Sequence, residues 1–422
     1  MRLTPSLLKH AEALLAELLR TNFAADSVIS RYFRQHAGLG HADRGFIAES
    51  VYAVLRRRRS LAARCLDGLS SRRLLLAHLA CVQGLNRREL EGLISETEGQ
   101  WLAQAKAVKL DGLPPAERLD LPDWLYEMLL AQYGSEDVEK VAASLNQAAP
   151  LDLRVNPLKA SRDQVLQRLR DDGIVAEPCR YSPLGIRLAA KPSLSRHPLF
   201  LDGSFEVQDE GSQLLGFLVQ PKRGEMVADF CAGAGGKTLL LGALMRSQGR
   251  LYAFDVAEKR LAKLKPRLAR SGLSNVHPTR IESERDIKVK RLAGKMDRVL
   301  VDAPCSGLGT LRRNPDLKWR QTPESVAELA AKQFSILSAA ATMVRPGGRL
   351  VYATCSLLDA ENEAVVSRFL AEHPEFVIVP ANDVLQKQDI QIEGEADDRL
   401  GLRLLPCRHG TDGFFAAVME RK

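Results

Sequence analysis

From about Lys222 to the C-terminus the chain alternates short apolar, β-branched runs with longer amphipathic ones. That alternation restricts the possible folds more than any other feature. MVADF (Met226 to Phe230), RLYAFD (Arg250 to Asp255), DRVLVDA (Asp297 to Ala303), GRLVYATC (Gly348 to Cys355) and FFAAVMER (Phe414 to Arg421) read as strands. Between them GKTLLLGALMRS, EKRLAKLKPRLARSG, ESVAELAAKQFSILSAAATMV and ENEAVVSRFLAEHP read as helices. Strands separated by helices pair in parallel, because a helical crossover returns the chain to the same end of the sheet. The expected fold is therefore α/β, a doubly wound, mainly parallel sheet with helices on both faces. Ligands of such sheets bind outside the carboxyl ends of the strands, so residues just past each strand are the first candidates for function.

With 422 residues the chain is too long for one compact core. The part before Lys222 has a different pattern. LLKHAEALLAELL, RGFIAESVYAVLRRRRSLAARCL (Arg44 to Leu66) and RRLLLAHLACVQGL have helical spacing, the last closed by Gly84. They predict a helical domain over 1–118, with Arg56 to Arg59 as either a solvated face or an RNA contact. Gly112, Pro114 and Pro115 punctuate its end. In 119–203, LPDWLYEMLLAQYG is a helix behind Pro122. LDLRVNPLK is a strand, and SRDQVLQRLRDDG is a helix opened by Ser161 and closed by Gly173. GIRLAA and SFEVQDEGS are short extended pieces, so this stretch predicts a small α+β module. The sheet domain then occupies 204–422.

Charge and cysteine usage narrow the class. Lys plus Arg number 60 against 52 for Asp plus Glu, a net charge of +8, which favours a polyanionic partner. The seven cysteines are odd in number and scattered, which speaks against a disulfide framework or a metal site and for a reducing compartment. Charged residues interrupt the N-terminal stretch, and no apolar run reaches the roughly 20 residues of a membrane span. The expectation is a cytoplasmic, monomeric protein with no metal and no membrane contact.

The first strand of the sheet domain runs into DFCAGAGGKT (Asp229 to Thr238). Glycines 233, 235 and 236 allow a tight turn and a close approach of backbone to ligand. The spacing is neither the dinucleotide GxGxxG nor the phosphate-loop GxxxxGK[ST]. The next strand ends at Asp255, where a carboxylate suits two ribose hydroxyls. Loop and acid together indicate an adenosine cofactor, either NAD or S-adenosylmethionine.

Two other strands run into thiols. Cys305 follows DRVLVDA and Cys355 ends GRLVYATC, and in a parallel sheet both open on the edge that carries the glycine loop. One such cysteine is often an inert buried hydrophobe. Two, each in a small polar loop and one beside Asp302, suit the chemistry of cytosine carbon 5. Thiolate addition to carbon 6 makes carbon 5 nucleophilic. An acid near ring nitrogen 3 stabilises the charge that develops, and a second group assists release. Spacing alone leaves open which thiol attacks.

DAPCSGLGTLRRNPDLKW, YATCSLLDAENE and DFCAGAGGKT together resemble the Sun/RsmB (NSUN) family of RNA cytosine-5 methyltransferases. RVN (Arg154 to Asn156), FEVQDEGSQ and HGTDGFF (His409 to Phe415) add to the likeness. ADRGFIAESVYAVLR resembles the NusB-like domain of the bacterial RsmB branch, and the middle module corresponds to a small RNA-recognition-like segment. The resemblance implies a Rossmann-like class I methyltransferase domain using S-adenosyl-L-methionine on RNA, ribosomal RNA in particular. It implies Cys355 as nucleophile, Cys305 as the group that promotes release, and Asp302 as the acid. Cofactor contacts are expected from Cys231, Ala232, Gly233, Ala234, Gly235, Gly236, Lys237, Asp255, Asp302 and Glu284, with Glu282 and Ser283 as alternatives to the last. RNA contacts are expected at Arg154, Arg312, Arg313 and Lys318. The loop departs from the family's usual CAAPGGKT by Ala234 in place of proline. An NAD-dependent oxidoreductase and an inactive RNA-binding assembly protein are the competing readings.

Overall fold

The computed structural model describes residues 3–65, 68–393, 397–398 and 400–422. The chain packs as two compact units, Met1–Gln147 with Thr310–Thr322, and Ala148–Gly309 with Pro323–Lys422. The boundaries expected at 118/119 and 203/204 fall inside these units.

The first unit is helical. Helix Pro5–Arg20 is capped by the Thr4 hydroxyl and buries Leu7, Leu8, Ala11, Leu14, Leu15 and Leu18 along one stripe. The long pattern from Arg44 breaks at Arg57, whose φ of −118° and ψ of 33° leave the helical region, giving helices His41–Arg56 and Arg58–Ala63; Leu66 lies outside the described residues. Helix Ser71–Ala77 continues into a π turn at His78–Val82 before Gly84. Helix Asp123–Leu145 starts behind Pro122 and is interrupted at Gly134, with φ 76°.

Three of the four arginines, Arg56, Arg58 and Arg59, are engaged inside this unit. Arg56 is buried and donates to the Arg312 carbonyl at 3.1 Å. Arg58 lies over the Trp319 ring at 5.5 Å, and Arg59 meets Asp123 at 2.6 Å. A solvated face does not describe Arg56, Arg58 and Arg59. Their partners lie more than 60 residues away and leave no local signal.

The second unit holds two sheets. Strands β1 (Leu151–Val155), β2 (Ala176–Pro178), β3 (Gly185–Leu188) and β4 (Phe205–Val207) form an antiparallel sheet in the order β2-β3-β1-β4. Helix Arg162–Asp171 belongs with it and opens with a reciprocal cap between Ser161 and Gln164. SFEVQDEGS is extended only to Val207, because Asp209 caps a helix over Glu210–Val219.

The larger sheet contains β5 (Met226–Asp229), β6 (Arg250–Asp255), β7 (Val276–Arg280), β8 (Met296–Asp302), β9 (Val344–Thr354), β10 (Phe376–Val379), β11 (Asp397–Asp398), β12 (Gly401–Leu404) and β13 (Phe414–Arg421). Its order is β11-β12-β13-β9-β8-β5-β6-β7, with β10 also on β13. Strands β5 to β9 pair in parallel, and β13 runs antiparallel to β9. This is the doubly wound, mainly parallel architecture expected. Both faces are buried: Val299 and Val301 of β8 enter one core layer and Leu300 the other. β7 has no place among the sequence-read strands because VHPTR is an edge strand with a proline and little burial, so no apolar run marks it. Among the described residues no helix is long and apolar enough to cross a membrane, and no cluster of three metal-ligating side chains occurs.

Candidate active site

The strand order reverses at β5, with β6 on one side and β8 on the other. A crevice forms at such a point beyond the carboxyl ends. Here it is a cavity of about 570 Å³, lined by the loops after β5, β6, β7, β8 and β9. That volume is in the range of small-ligand sites.

The loop after β5 leads into helix Gly236–Leu244. Gly235 has φ 84°, and a Cβ there would sit 2.1 Å from Leu264 Cδ1, so only glycine fits. Arg154 donates to the Gly236 carbonyl at 2.6 Å and also to Gln208, while Arg267 donates to the Ala234 carbonyl at 2.7 Å. Two guanidiniums thus hold the loop from behind, and Ala234 keeps its turn without the proline. Cys231, Ala232, Gly233, Ala234, Gly236 and Lys237 line the cavity; Gly235 packs against Leu264 instead.

Three carboxylates end three strands at this cavity. Asp255 of β6 accepts from the amides of Gly233 and Ala257 at 2.8 and 2.7 Å, which fixes its orientation and leaves a lone pair on each oxygen. Asp302 of β8 lies 2.6 Å from the Lys237 ammonium. Burial works against the charge of Lys237, but Asp302, aided by Cys355 and Asp229, raises the lysine pKa. Asp229 of β5 is buried and accepts from the Thr238 hydroxyl at 2.6 Å through Oδ2. Its Oδ1 has no hydrogen-bond partner, and burial pushes the carboxyl up to about 7.

The two thiols meet. Asp302 pairs with Ala353 across β8 and β9, so the residues just past each strand end converge. Cys305 Sγ and Cys355 Sγ are 3.3 Å apart, and the Cys355 amide donates to Cys305 Sγ at 3.3 Å. The Cys355 sulfur beside it, reinforced by burial and by Glu361, pushes the Cys305 thiol well above its ordinary pKa. Both cysteines line the cavity shared with Asp255 and Asp302.

Glu284 also lines the cavity, as do Glu282 and Ser283, and its Oε1 accepts from the Ser335 hydroxyl at 2.8 Å. The expected RNA contacts are placed differently. Arg154 is 3% exposed and committed to Gln208 and Gly236, which removes it as a phosphate contact. Lys318 is 1% exposed and donates to the Arg56 carbonyl and Asn146 Oδ1 at 2.8 and 2.9 Å, so it too is removed. Arg312 is buried and Arg313 half-buried within the helical unit.

Sequence reasoning passed over Asp229, although it ends its strand as Asp255 and Asp302 end theirs. It also missed Lys332 and Ile336, which reach the cavity from helix Pro323–Ala341. No spacing rule connects that helix to the glycine loop.

Residues 216–420 match the family model described as "16S rRNA methyltransferase RsmB/F", and 121–195 match the ferredoxin-like domain of RsmF/B-like methyltransferases. The "Probable ribosomal RNA small subunit methyltransferase B" of Synechocystis sp. is 33% identical over 450 residues, covering 97% of this chain and 98% of that one. The ribosomal RNA small subunit methyltransferase B of Sodalis glossinidius is 35% identical over 80% of this chain and 74% of its own. The crystal structure of PH0851 superposes with a TM-score of 0.79 at 26% identity, covering all of both chains. The glycine loop, the strand-end acids and the paired thiols thus stand on a sequence related to these enzymes over nearly its whole length, and the chain belongs to the RsmB/F family of methyltransferases.

Proposed function

We propose that this methyltransferase transfers a methyl group from S-adenosyl-L-methionine to carbon 5 of a cytosine in ribosomal RNA, through a covalent bond between Cys355 and the base. The observation that carries the reading is the 3.3 Å approach of Cys305 and Cys355 in the cavity that also holds Asp255 and Asp302. Hydride transfer to or from NAD does not need that pair. An inactive assembly protein has no use for thiols that line a cavity.

The cavity suits the methyl donor. The free lone pairs of Asp255 are acceptors for two ribose hydroxyls, and the partnerless Oδ1 of Asp229 is an acceptor for an ammonium group. Cys231 to Ala234, Gly236 and Lys237 form the wall between them, and Glu284 the wall beyond Asp255. When bound, S-adenosylmethionine supplies the methyl group.

On the base, the Cys355 thiolate adds to carbon 6 and electron density moves to carbon 5, which takes the methyl group. Asp302 passes a proton from the Lys237 ammonium, 2.6 Å away, to ring nitrogen 3 and so neutralises the negative charge that develops there. Loss of the carbon 5 proton then breaks the carbon 6–sulfur bond and restores the aromatic base. Cys305 assists this elimination: once Cys355 is bonded to carbon 6 its sulfur no longer holds the Cys305 proton in place, and the Cys305 thiolate takes the carbon 5 proton as the Cys355 thiolate leaves.

The test separates the two thiols. Cys305→Ala should accumulate a covalent enzyme–RNA adduct, visible as a slow band on a denaturing gel. Cys355→Ala should form none and transfer no methyl group. An adduct on Cys355→Ala alone would exchange the roles, and normal turnover by that variant would end the covalent reading.

A further inference from the structure

One carboxylate lies behind both thiol loops and has no part in the chemistry above. Glu361 sits in the short turn Asp359–Glu361 after β9 and is fully buried. Its Oε1 accepts from the Ser306 amide at 2.8 Å and from Gln333 Nε2 at 2.9 Å. Its Oε2 accepts from the Ser306 hydroxyl at 2.5 Å and from the Ser356 hydroxyl. Ser306 directly follows Cys305, and Ser356 directly follows Cys355. A single side chain therefore grips the residue next to each sulfur.

The network reaches further along both loops. Gln333 Nε2 also donates to the carbonyl of Pro304, the residue before Cys305, at 2.9 Å. The Tyr352 hydroxyl donates to Gln333 Oε1 and to the Glu361 carbonyl at 3.1 and 2.6 Å. Asn362 donates to the Ser356 carbonyl at 3.1 Å and accepts from the Thr354 hydroxyl at 2.5 Å. Among the described residues Glu361 has no cationic partner. A buried carboxylate without a cation is unfavourable unless its oxygens are filled by hydrogen bonds, and here four donors fill them, three of them from the two thiol loops.

We infer that Glu361 is a positioning residue that clamps the Cys305 and Cys355 loops together and sets the separation of their sulfurs. The inference rests on the covalent-cysteine reading for its consequence in catalysis, but the clamp itself is measurable without RNA. A glutamine is the same size but neutral: with its amide nitrogen in place of Oε2 the two serine hydroxyls must turn round to accept, and the charge that strengthens all four contacts is lost.

The probe is phenylarsine oxide, whose trivalent arsenic bonds two neighbouring thiols and releases water. The full-length protein should capture one equivalent at the site, and Cys305→Ala or Cys355→Ala should abolish that capture. Glu361→Gln should slow capture about tenfold, the scale of one lost charge-assisted hydrogen bond, and lower kcat for methyl transfer while leaving the KM for RNA unchanged. Ser356→Ala should slow capture more than Ser306→Ala, because Ser306 keeps its backbone tie to Glu361. If Glu361→Gln does not fold, judged by thermal melting, the two serine variants decide. Capture at the wild-type rate by folded Glu361→Gln, or a larger effect at Ser306 than at Ser356, would overturn the clamp. The capture pattern without any cytosine methylation by the wild type would leave the clamp standing and remove the function proposed for it.

Discussion

Asp229, Asp255 and Asp302 hold equivalent positions at the ends of β5, β6 and β8, yet their surroundings separate them. Two backbone amides hold Asp255, an ammonium holds Asp302, and Asp229 keeps one oxygen without a partner. If Asp255 receives ribose hydroxyls, Asp255→Ala should weaken S-adenosylmethionine binding by about one to two decades, since a hydrogen bond to a charged group is worth about 1.5–3 kcal/mol. Isothermal titration calorimetry reads this directly, and an unchanged Kd would remove Asp255 from the cofactor site. Asp255, Asp302, Cys305 and Cys355 are legible in the sequence because each stands at the end of an alternating strand, where topology alone brings them to one edge. Glu361 is not legible. Its partner Ser306 is 55 residues away, and a glutamate in DAENE looks like any helix-opening acid.

At the scale of elements, the segment Thr310–Thr322 packs with the helical unit although it follows β8 in sequence. Trp319 Nε1 donates to the Leu55 carbonyl at 2.7 Å, and the Ala25 amide donates to Asp316 at 3.2 Å. Lys318 goes inside with them. Burial lowers its pKa from 10.5 to about 7, and its two acceptors match the two hydrogens of a neutral amine. Between those values the unfolded chain keeps a proton that the folded chain has released, so unfolding takes up protons and stability rises with pH. Lys318→Met should remove that contribution, a slope of up to about 1.4 kcal/mol per pH unit above pH 7. Urea unfolding of both proteins at pH 7, 8 and 9 checks it; parallel pH dependences would show that Lys318 stays charged. RRNPDLKW read as a basic stretch because charge is visible in a sequence and tertiary burial is not. The cap at Ser161 is legible, because its partner Gln164 lies within one turn.

For the whole molecule, the excess of eight positive charges favours an RNA partner, but the individual cations singled out in the sequence are spent otherwise. Arg154 braces the glycine loop, and Arg56, Arg59 and Lys318 are engaged within the helical unit. The attraction to a polyanion is therefore a property of the total charge and not of those four residues. What the molecule retains from end to end is a cavity at a sheet switch point with two thiols 3.3 Å apart, on a chain related along 97% of its length to a small-subunit RNA methyltransferase. The direct test is a map of 5-methylcytosine in ribosomal RNA from cells with and without the gene, and from deleted cells carrying wild-type or Cys355→Ala protein. A discrete cytosine should lose its methyl group on deletion, regain it with the wild type, and remain unmodified with Cys355→Ala. An unchanged map on deletion, or restoration by Cys355→Ala, would contradict it.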